Sequence, residues 1–302
     1  MNKSIDKNSS QWTSSDGDIF NYTCWSSNQV GAVQPNLVLI AVHGLGGSAN
    51  DFDPLGNHLA HENIISYAYE MRTQGNDPKV KRRGDLIDWH ILTSDLKDLC
   101  DYVYTLHPET THILAGESMG AVVAINACAI ENYLPSIDGL ILFTPVTELD
   151  IHFQRWQIRI WQLSTKIIPW IKFPPKWFSK NKDRSTRVSS DDEYEKYLVE
   201  APHRIKCFTL RFYYNLYNMI ENCSLAASKV KLPVLLLYAG KDIFIKADRS
   251  ESFFARLNST DKQKHFYPEA FHLLLHDTNT PDVLSAVVNW IDRLQNSTKN
   301  NE

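Results

Sequence analysis

The pentapeptide GESMG at residues 116–120 is the stretch of the sequence with the clearest chemical meaning. An apolar run at 113–115 precedes it and small and apolar residues at 121–127 follow it, which predicts a strand, a tight turn and a helix. A serine at the apex of such a turn adopts a strained backbone conformation that holds its hydroxyl clear of the sheet. The first amides of the helix point at the same place, where they stabilise negative charge. We therefore predict that Ser118 is a nucleophile directed at an acyl carbon.

A serine hydroxyl is a weak nucleophile and needs a base, which in turn needs a carboxylate to orient it. Asp242 comes just after the predicted strand 234–238, and His272 follows the next predicted strand, 265–267. Because the carboxyl ends of parallel strands lie at one edge of a sheet, the three side chains are expected to meet there. Their chain order is that of the α/β-hydrolase fold. We predict Ser118 as nucleophile, His272 as base and Asp242 as the orienting acid.

An oxyanion-binding loop is predicted directly after the buried strand 37–42, in HGLGG at residues 43–47. A loop at this point can direct a backbone N–H at the oxyanion that develops on the attacked carbonyl. We assign the two donors to the amides of Leu45 and Met119, and we expect His43 to brace the loop. This chemistry needs neither a metal ion nor an organic cofactor, and none is predicted.

Predicted strands alternate with predicted helices along most of the chain, which indicates a mostly parallel central sheet with helices on both faces. The interval from Pro145 to Lys231 has no convincing strand and is helical and rich in aromatic residues. We expect it to fold as a helical cap over the carboxyl ends of the strands. The predicted division is an α/β-hydrolase core at 11–146 and 230–295, a helical cap at 147–229, and polar flexible termini at 1–10 and 296–302.

Four short motifs resemble those of the monoacylglycerol lipase and lysophospholipase group within the serine-aminopeptidase-like hydrolases: HGLG at 43–46, GESMG at 116–120, GKD at 240–242 and FHL at 271–273. The resemblance covers residues 11–295. It implies a serine hydrolase that cleaves carboxylic esters through an acyl-enzyme, with a monoacylglycerol, a lysophospholipid or another ester of a medium or long acyl chain as substrate. Members of this group often carry histidine where this chain has Glu117, and glycine where it has Ala121.

The net charge and the cysteines indicate which binding partners and which cellular compartment to expect. The net charge of −4 gives no overall attraction to nucleic acid, so no nucleic-acid partner is predicted. The five cysteines are scattered without C-x-x-C spacing, which favours reduced thiols and a cytoplasmic location. Residues 1–10 lack the apolar core of a signal peptide, and no apolar run approaches the ~20 residues of a membrane span.

The first part of the predicted cap is basic and rich in tryptophan. Residues 151–187 contain nine lysines or arginines and a single acid, Asp183, together with four of the eight tryptophans. Five apolar residues fall near one helical face there, although Pro169 is expected to bend or end the helix: Trp156, Ile160, Leu163, Ile167 and Ile171. Two interpretations are open: peripheral contact with an anionic membrane, or a lid whose apolar face packs on the core.

Other functions are compatible with parts of the sequence. An aminopeptidase of the same fold would use acids to hold the substrate amine, and the cap offers Asp191, Asp192, Glu193 and Glu195. A thioesterase would use the same catalytic residues. The loop GLGGSA at 44–49 with Glu70 matches a dinucleotide-binding fingerprint, but that interpretation leaves Ser118, Asp242 and His272 without a role. A non-catalytic binding module would have no use for Ser118 either.

Overall fold

The structure of the protein is a computed structural model that describes residues 5–27, 35, 37–151, 153–175 and 187–299. Within these ranges the strands are β1 (Ile5–Thr13), β2 (Ile19–Ser27), β3 (Leu37–Val42), β4 (Ile65–Tyr69), β5 (Thr111–Glu117), β6 (Gly139–Phe143), β7 (Lys172–Phe173), β8 (Phe208–Thr209), β9 (Val234–Ala239) and β10 (Lys262–Tyr267). The helices are α1 (Asp53–His61), α2 (His90–Leu106), α3 (Met119–Cys128), α4 (Arg155–Ile167), α5 (Asp192–Glu200), α6 (Leu210–Ala227), α7 (Ala247–Arg256) and α8 (Thr280–Lys299).

The main sheet has eight strands in the order β1-β2-β4-β3-β5-β6-β9-β10. Within the run β4-β3-β5-β6-β9-β10 every pair of adjacent strands is parallel. The remaining two pairings, β1 with β2 and β2 with β4, are antiparallel. The mostly parallel sheet predicted from the alternation of strands and helices is confirmed.

Strand β3 is buried on both faces and divides the apolar core into two layers. Val38, Ile40 and Val42 pack in the layer that contains residues of α2, α3 and α6. Leu37 and Leu39 pack in the opposite layer, with residues of α1 and α8. Because successive side chains of a strand point to opposite faces, this continuous apolar run fixes the strand between two layers of helices. It therefore also fixes the start of the loop that follows Val42.

The N-terminal residues form a hairpin that includes part of the segment predicted to be flexible. β1 pairs antiparallel with β2 from Ile5 opposite Ser27 to Thr13 opposite Ile19. The prediction of a flexible terminus over 1–10 is therefore wrong for residues 5–10, whose backbone pairing needs no apolar side chains. At the other end α8 runs to Lys299, so residues 296–299 are helical where a flexible tail was predicted.

The region predicted as a cap contains α4, α5 and α6 and one short strand pair. β7 pairs antiparallel with β8, which is a correction to the prediction of no strand in this interval. Helix α6 buries Phe212, Met219 and Ile220 in the same layer as α3, so it joins the core although the sequence placed it in the cap. Some residues of the predicted basic segment lie outside the described residues: Lys176, Trp177, Lys180, Lys182, Asp183 and Arg184. Across the described ranges, we find no helix with the length and apolar character needed to cross a bilayer.

Candidate active site

Ser118 lies at the tight turn between β5 and α3, as the sequence predicts. Its backbone has φ 52° and ψ −114°, a conformation that residues with a side chain rarely adopt. Its amide donates a hydrogen bond to the carbonyl of Phe143 on β6, with an N–O distance of 2.9 Å. A Cβ on Gly120 would lie 2.1 Å from the carbonyl oxygen of Val42, so only glycine fits there. Close packing on β3 and the bond to β6 together hold this turn in its strained shape.

Asp242 and His272 form a buried pair. Oδ2 of Asp242 lies 2.6 Å from Nδ1 of His272, and the two side chains are 1% and 3% exposed. The other carboxylate oxygen accepts hydrogen bonds from the amides of Phe244 (2.8 Å) and Ile245 (3.2 Å). Because the carboxylate accepts the Nδ1 proton, Nε2 of the imidazole carries the lone pair. The pair is therefore oriented as a general base requires.

Ser118 and His272 line the same cavity, whose volume is about 280 Å³. Nε2 of His272 is buried there, and no residue in the described part of the chain forms a hydrogen bond with it. Asp242 supports the imidazole from the side away from this free nitrogen. The structure thus brings the three residues predicted from the sequence into one site.

The loop after β3 contacts the serine turn directly. A Cβ on Gly44 would lie 3.3 Å from Cβ of Ser118, which measures how closely the two backbones approach. His43 is fully buried beneath this loop. Its Nε2 accepts from the amide of Met71 (3.1 Å), and its Nδ1 donates to the carbonyl of Gly44 (2.9 Å). His43 therefore braces the loop, as expected.

Leu45 and Met119 both line the cavity beside the serine. Met119 is the first residue of α3, so its amide has no acceptor within the helix. Over the ranges that the structure describes, no backbone acceptor pairs with the amide of either residue. Both predicted oxyanion donors are thus available to a carbonyl oxygen bound near Ser118.

The dinucleotide interpretation of this loop finds no support in the geometry. The glycines lead into a short 3-10 turn, Ala49–Phe52, and α1 begins only afterwards. Glu70 accepts a hydrogen bond from the amide of Ala49 (3.2 Å), so this carboxylate is used inside the protein. The fingerprint residues instead hold the loop against Ser118.

Two buried carboxylates, Asp51 and Glu117, line the same cavity. Glu117 is 2% exposed, and its Oε1 has no hydrogen-bond partner among the described residues. Burial raises the pKa of Glu117 to about 8, and the nearby charge of Asp51 adds to the effect. Burial also raises the pKa of Asp51, whose Oδ1 accepts from the hydroxyl of Tyr194 (3.3 Å).

Sequence reasoning missed part of this acidic cluster. Glu117 carried a signal, because it stands where related sequences often have histidine. Asp51 carried none, since an acid at this point is typical of the start of a helix. Tyr194 belongs to α5, and nothing in the local sequence indicates that α5 contacts the loop after β3.

The four cap acids considered as amine ligands do not line the cavity that the described residues form. Asp191 accepts hydrogen bonds from amides in the first turn of α5. Glu195 accepts from the amide of Ser189 (2.8 Å), and Asp192 pairs with Arg187. These acids therefore organise the cap itself.

The cap is tied to the loop that carries the base. The amide of Leu273 donates to the carbonyl of Val188, with an N–O distance of 2.8 Å. The ring of Tyr194 stacks on His276 with centroids 3.7 Å apart and planes 4° apart. Nε2 of His276 in turn donates to the carbonyl of Asp51 (2.7 Å). The cap, the base loop and the loop after β3 thus form one connected wall of the cavity.

Comparison with known proteins agrees with this arrangement. A family model described as "Serine aminopeptidase, S33" matches residues 33–279. An uncharacterized protein of Escherichia coli, YnbC, is 22% identical over 290 residues, which are 94% of this chain but only 46% of that protein. The chain thus spans less than half the length of this relative. The monoglyceride lipase of Saccharomyces cerevisiae is 23% identical over 307 residues, covering 94% of this chain and 93% of that protein.

A solved structure shows the same fold. It is a soluble variant of the yeast monoglyceride lipase in complex with a substrate analog, with a TM-score of 0.79 and 20% identity over 94% of each chain. At this level of identity the likeness establishes the fold, which is that of an α/β-hydrolase. Because the family model spans most of the sequence, the chain belongs to the serine aminopeptidase S33 family of α/β-hydrolases.

Proposed function

We propose that the protein is a serine hydrolase that cleaves carboxylic esters of medium or long acyl chains, such as a monoacylglycerol or a lysophospholipid. One observation carries the proposal: the oriented pair of Asp242 and His272 presents a free Nε2 in the same cavity as Ser118. A buried carboxylate–imidazole pair beside a serine in a strained turn is the arrangement that activates a hydroxyl.

The reaction follows from these positions. Nε2 of His272 takes the hydroxyl proton as Oγ of Ser118 bonds to the ester carbon. The amides of Leu45 and Met119 stabilise the resulting oxyanion, and loss of one such donor typically costs ~3 kcal/mol of transition-state stabilisation. His272 then gives its proton to the leaving alcohol, which leaves an acyl-enzyme. Water, deprotonated by His272, attacks the acyl carbon and releases the acid.

The lining of the cavity supports an apolar acyl group. Five aliphatic residues contribute to it from α3, from the segment after β6 and from α6: Val122, Val146, Leu149, Leu216 and Ile220. All five belong to or pack against the same apolar core layer, so they present one continuous apolar surface. Burial of an acyl chain there would contribute about 0.8 kcal/mol for each methylene. The name of the yeast relative, monoglyceride lipase, supports the same substrate class.

Labelling with a fluorophosphonate probe tests the nucleophile. We expect the wild-type protein to be labelled and Ser118→Ala to remain unlabelled. Failure of the wild type to react would contradict the proposal. A panel of p-nitrophenyl esters, monoacylglycerols, lysophospholipids, a matched acyl thioester and an aminoacyl amide then tests the substrate class. A preference for the thioester or for the aminoacyl amide would contradict the proposed substrate.

We also propose that α4 rests on an anionic lipid surface. In this helix the structure finds no buried residue. Its apolar stripe is exposed to solvent: Trp156 at 61%, Ile160 at 56%, Leu163 at 58% and Ile167 at 62%. Exposed basic residues lie on the same helix: Arg155, Arg159 and Lys166. Tryptophan and aliphatic residues beside cations suit the interface of an anionic bilayer, and the exposure of the stripe disfavours the alternative of a lid packed on the core.

A further inference from the structure

One part of the cavity contains two carboxylates, which the binding of an uncharged ester does not require. Asp51 and Glu117 are 7% and 2% exposed, and Oε1 of Glu117 has no hydrogen-bond partner in the part of the chain that the structure describes. A buried acceptor without a donor is costly unless a ligand supplies one. We propose that Glu117 and Asp51 bind a protonated amine carried by the alcohol half of the ester, an inference that rests on the proposed function.

The position of Glu117 places this subsite next to the reacting atoms. The Cβ position of Gly44 lies 3.3 Å from Cβ of Ser118 and 3.9 Å from Oε2 of Glu117, so both side chains surround the same glycine. An ammonium group held by Glu117 would thus lie within a few atoms of the ester carbon. This distance fits a short amino alcohol.

The charges around the subsite favour a cation over a neutral polyol. Among the described residues, the lining of the cavity contains two carboxylates and no lysine or arginine. A third buried carboxylate, Glu70, lies close enough to raise the pKa of Asp51. His43 and His203 have the opposite effect and lower the pKa of Asp51. Burial lowers the pKa of both His43 and His276, so these two imidazoles are neutral at pH 7. Burial by itself favours the protonated form of Glu117, and an ammonium group beside it would favour the ionised carboxylate.

The apolar lining decides which half of the ester carries the amine. The aliphatic residues from α3 and α6 pack in one core layer, whereas Asp51, Tyr194 and His276 contact one another at the opposite wall. The acyl chain is assigned to the aliphatic side, so the charged group belongs to the leaving alcohol. An aminopeptidase substrate has the reverse arrangement, with its amine on the acyl half.

A matched pair of esters tests the inference. We would compare 2-(dimethylamino)ethyl octanoate, whose amine is protonated at pH 7, with 3-methylbutyl octanoate, which has the same shape without charge. Because hydrogen bonds to charged groups are roughly twice as strong as neutral ones, kcat/KM is expected to favour the amine by about tenfold. This measurement on the wild-type protein is decisive by itself: a ratio near one, or a preference for the neutral ester, would overturn the inference.

Variants assign the effect to the carboxylate. In Glu117→Gln the ratio of the two kcat/KM values should fall well below that of the wild type, since Asp51 alone then faces the amine, with fluorophosphonate labelling of Ser118 as the check on folding. Glu193→Gln is the matched control, since Glu193 is exposed and does not line the cavity, and it should retain the wild-type ratio. An unchanged ratio in Glu117→Gln would contradict the assignment, as would faster hydrolysis of an aminoacyl ester than of either octanoate. If neither octanoate is hydrolysed, the proposed ester hydrolysis fails instead.

Discussion

Tyr194 of α5 stacks on His276, and the same tyrosine donates its hydroxyl to Asp51 at 3.3 Å. One side chain of the cap therefore contacts both the loop that follows the base and the loop that follows β3. An aromatic pair of this kind contributes about 0.5 to 1.5 kcal/mol beyond the area that it buries. The contact is thus strong enough to position the cap over the cavity.

Replacing Tyr194 separates its two contacts. We expect Tyr194→Ala to lower the melting temperature by several degrees, because a loss of 1 kcal/mol corresponds to about 2 to 4 °C in a chain of this size. Tyr194→Phe keeps the ring and should lower the melting temperature by less than half as much. Differential scanning calorimetry measures both variants. Equal losses would show that the hydroxyl, and not the stack, stabilises the cap.

Asp248, six residues after Asp242, provides a matched control for the role of Asp242. Asp242→Asn should reduce kcat by about 10⁴, because the amide no longer holds the imidazole in the tautomer with a free Nε2. Asp248 lies in the first turn of α7, where it accepts from the amide of Arg249 (2.9 Å). Asp248→Asn should leave kcat within about twofold of wild type. Steady-state hydrolysis of a p-nitrophenyl ester measures both, and a small loss in Asp242→Asn would refute the assigned role.

The stability of the protein should depend on pH through Glu117. Burial raises the pKa of this carboxyl from 4.5 to about 8, so the folded state holds a proton that the unfolded chain releases between these values. Below about pH 4.5 this carboxyl is protonated in both states and leaves the free energy of unfolding unchanged. As the pH rises from there to 8, the free energy of unfolding falls by up to about 1.4 kcal/mol per pH unit.

Glu117→Gln removes this titration. The difference in free energy of unfolding between Glu117→Gln and wild type should shift in favour of the variant from about pH 5 to pH 8. Urea denaturation at several pH values measures it. Parallel curves for the two proteins would show that Glu117 titrates normally in the folded state.

Binding to lipid vesicles tests the role of α4. The double variant Trp156→Ser, Ile160→Ser should bind vesicles of mixed phosphatidylcholine and phosphatidylserine at least about tenfold more weakly, since burial of each large apolar side chain contributes about 1.5 kcal/mol or more. Val199→Ser is the control, because Val199 is equally exposed, at 61%, but lies on α5. Co-sedimentation at low and high salt measures binding. If the wild type binds equally well to vesicles with and without phosphatidylserine, the proposal is wrong.

The predicted triad could be derived from the sequence because each member follows a strand, although only the strands before Ser118 and Asp242 are apolar and the strand before His272 is mostly polar. Continuous apolar runs such as Leu37–Val42 indicate strands buried on both faces, and the parallel topology then brings their carboxyl ends together. Strand positions alone therefore predict that Ser118, Asp242 and His272 share one edge.

Other features depend on contacts that leave no local pattern. The polar sequence of residues 5–10 predicts a flexible tail, yet these residues form a strand because their backbone pairs with β2. Asp51 reads as the first acid of a helix, and only the folding of its loop against β5 brings it into the cavity with Glu117. Such tertiary placements set the chemistry of the cavity, while the local patterns set only its scaffold.

The hydrogen bond from the amide of Leu273 to the carbonyl of Val188 joins the residue after the base to the segment that leads into α5. A shift of that segment would be transmitted through this bond to the backbone beside the imidazole. The placement of α5 and the position of the base are therefore linked by a main-chain contact in which no side chain takes part.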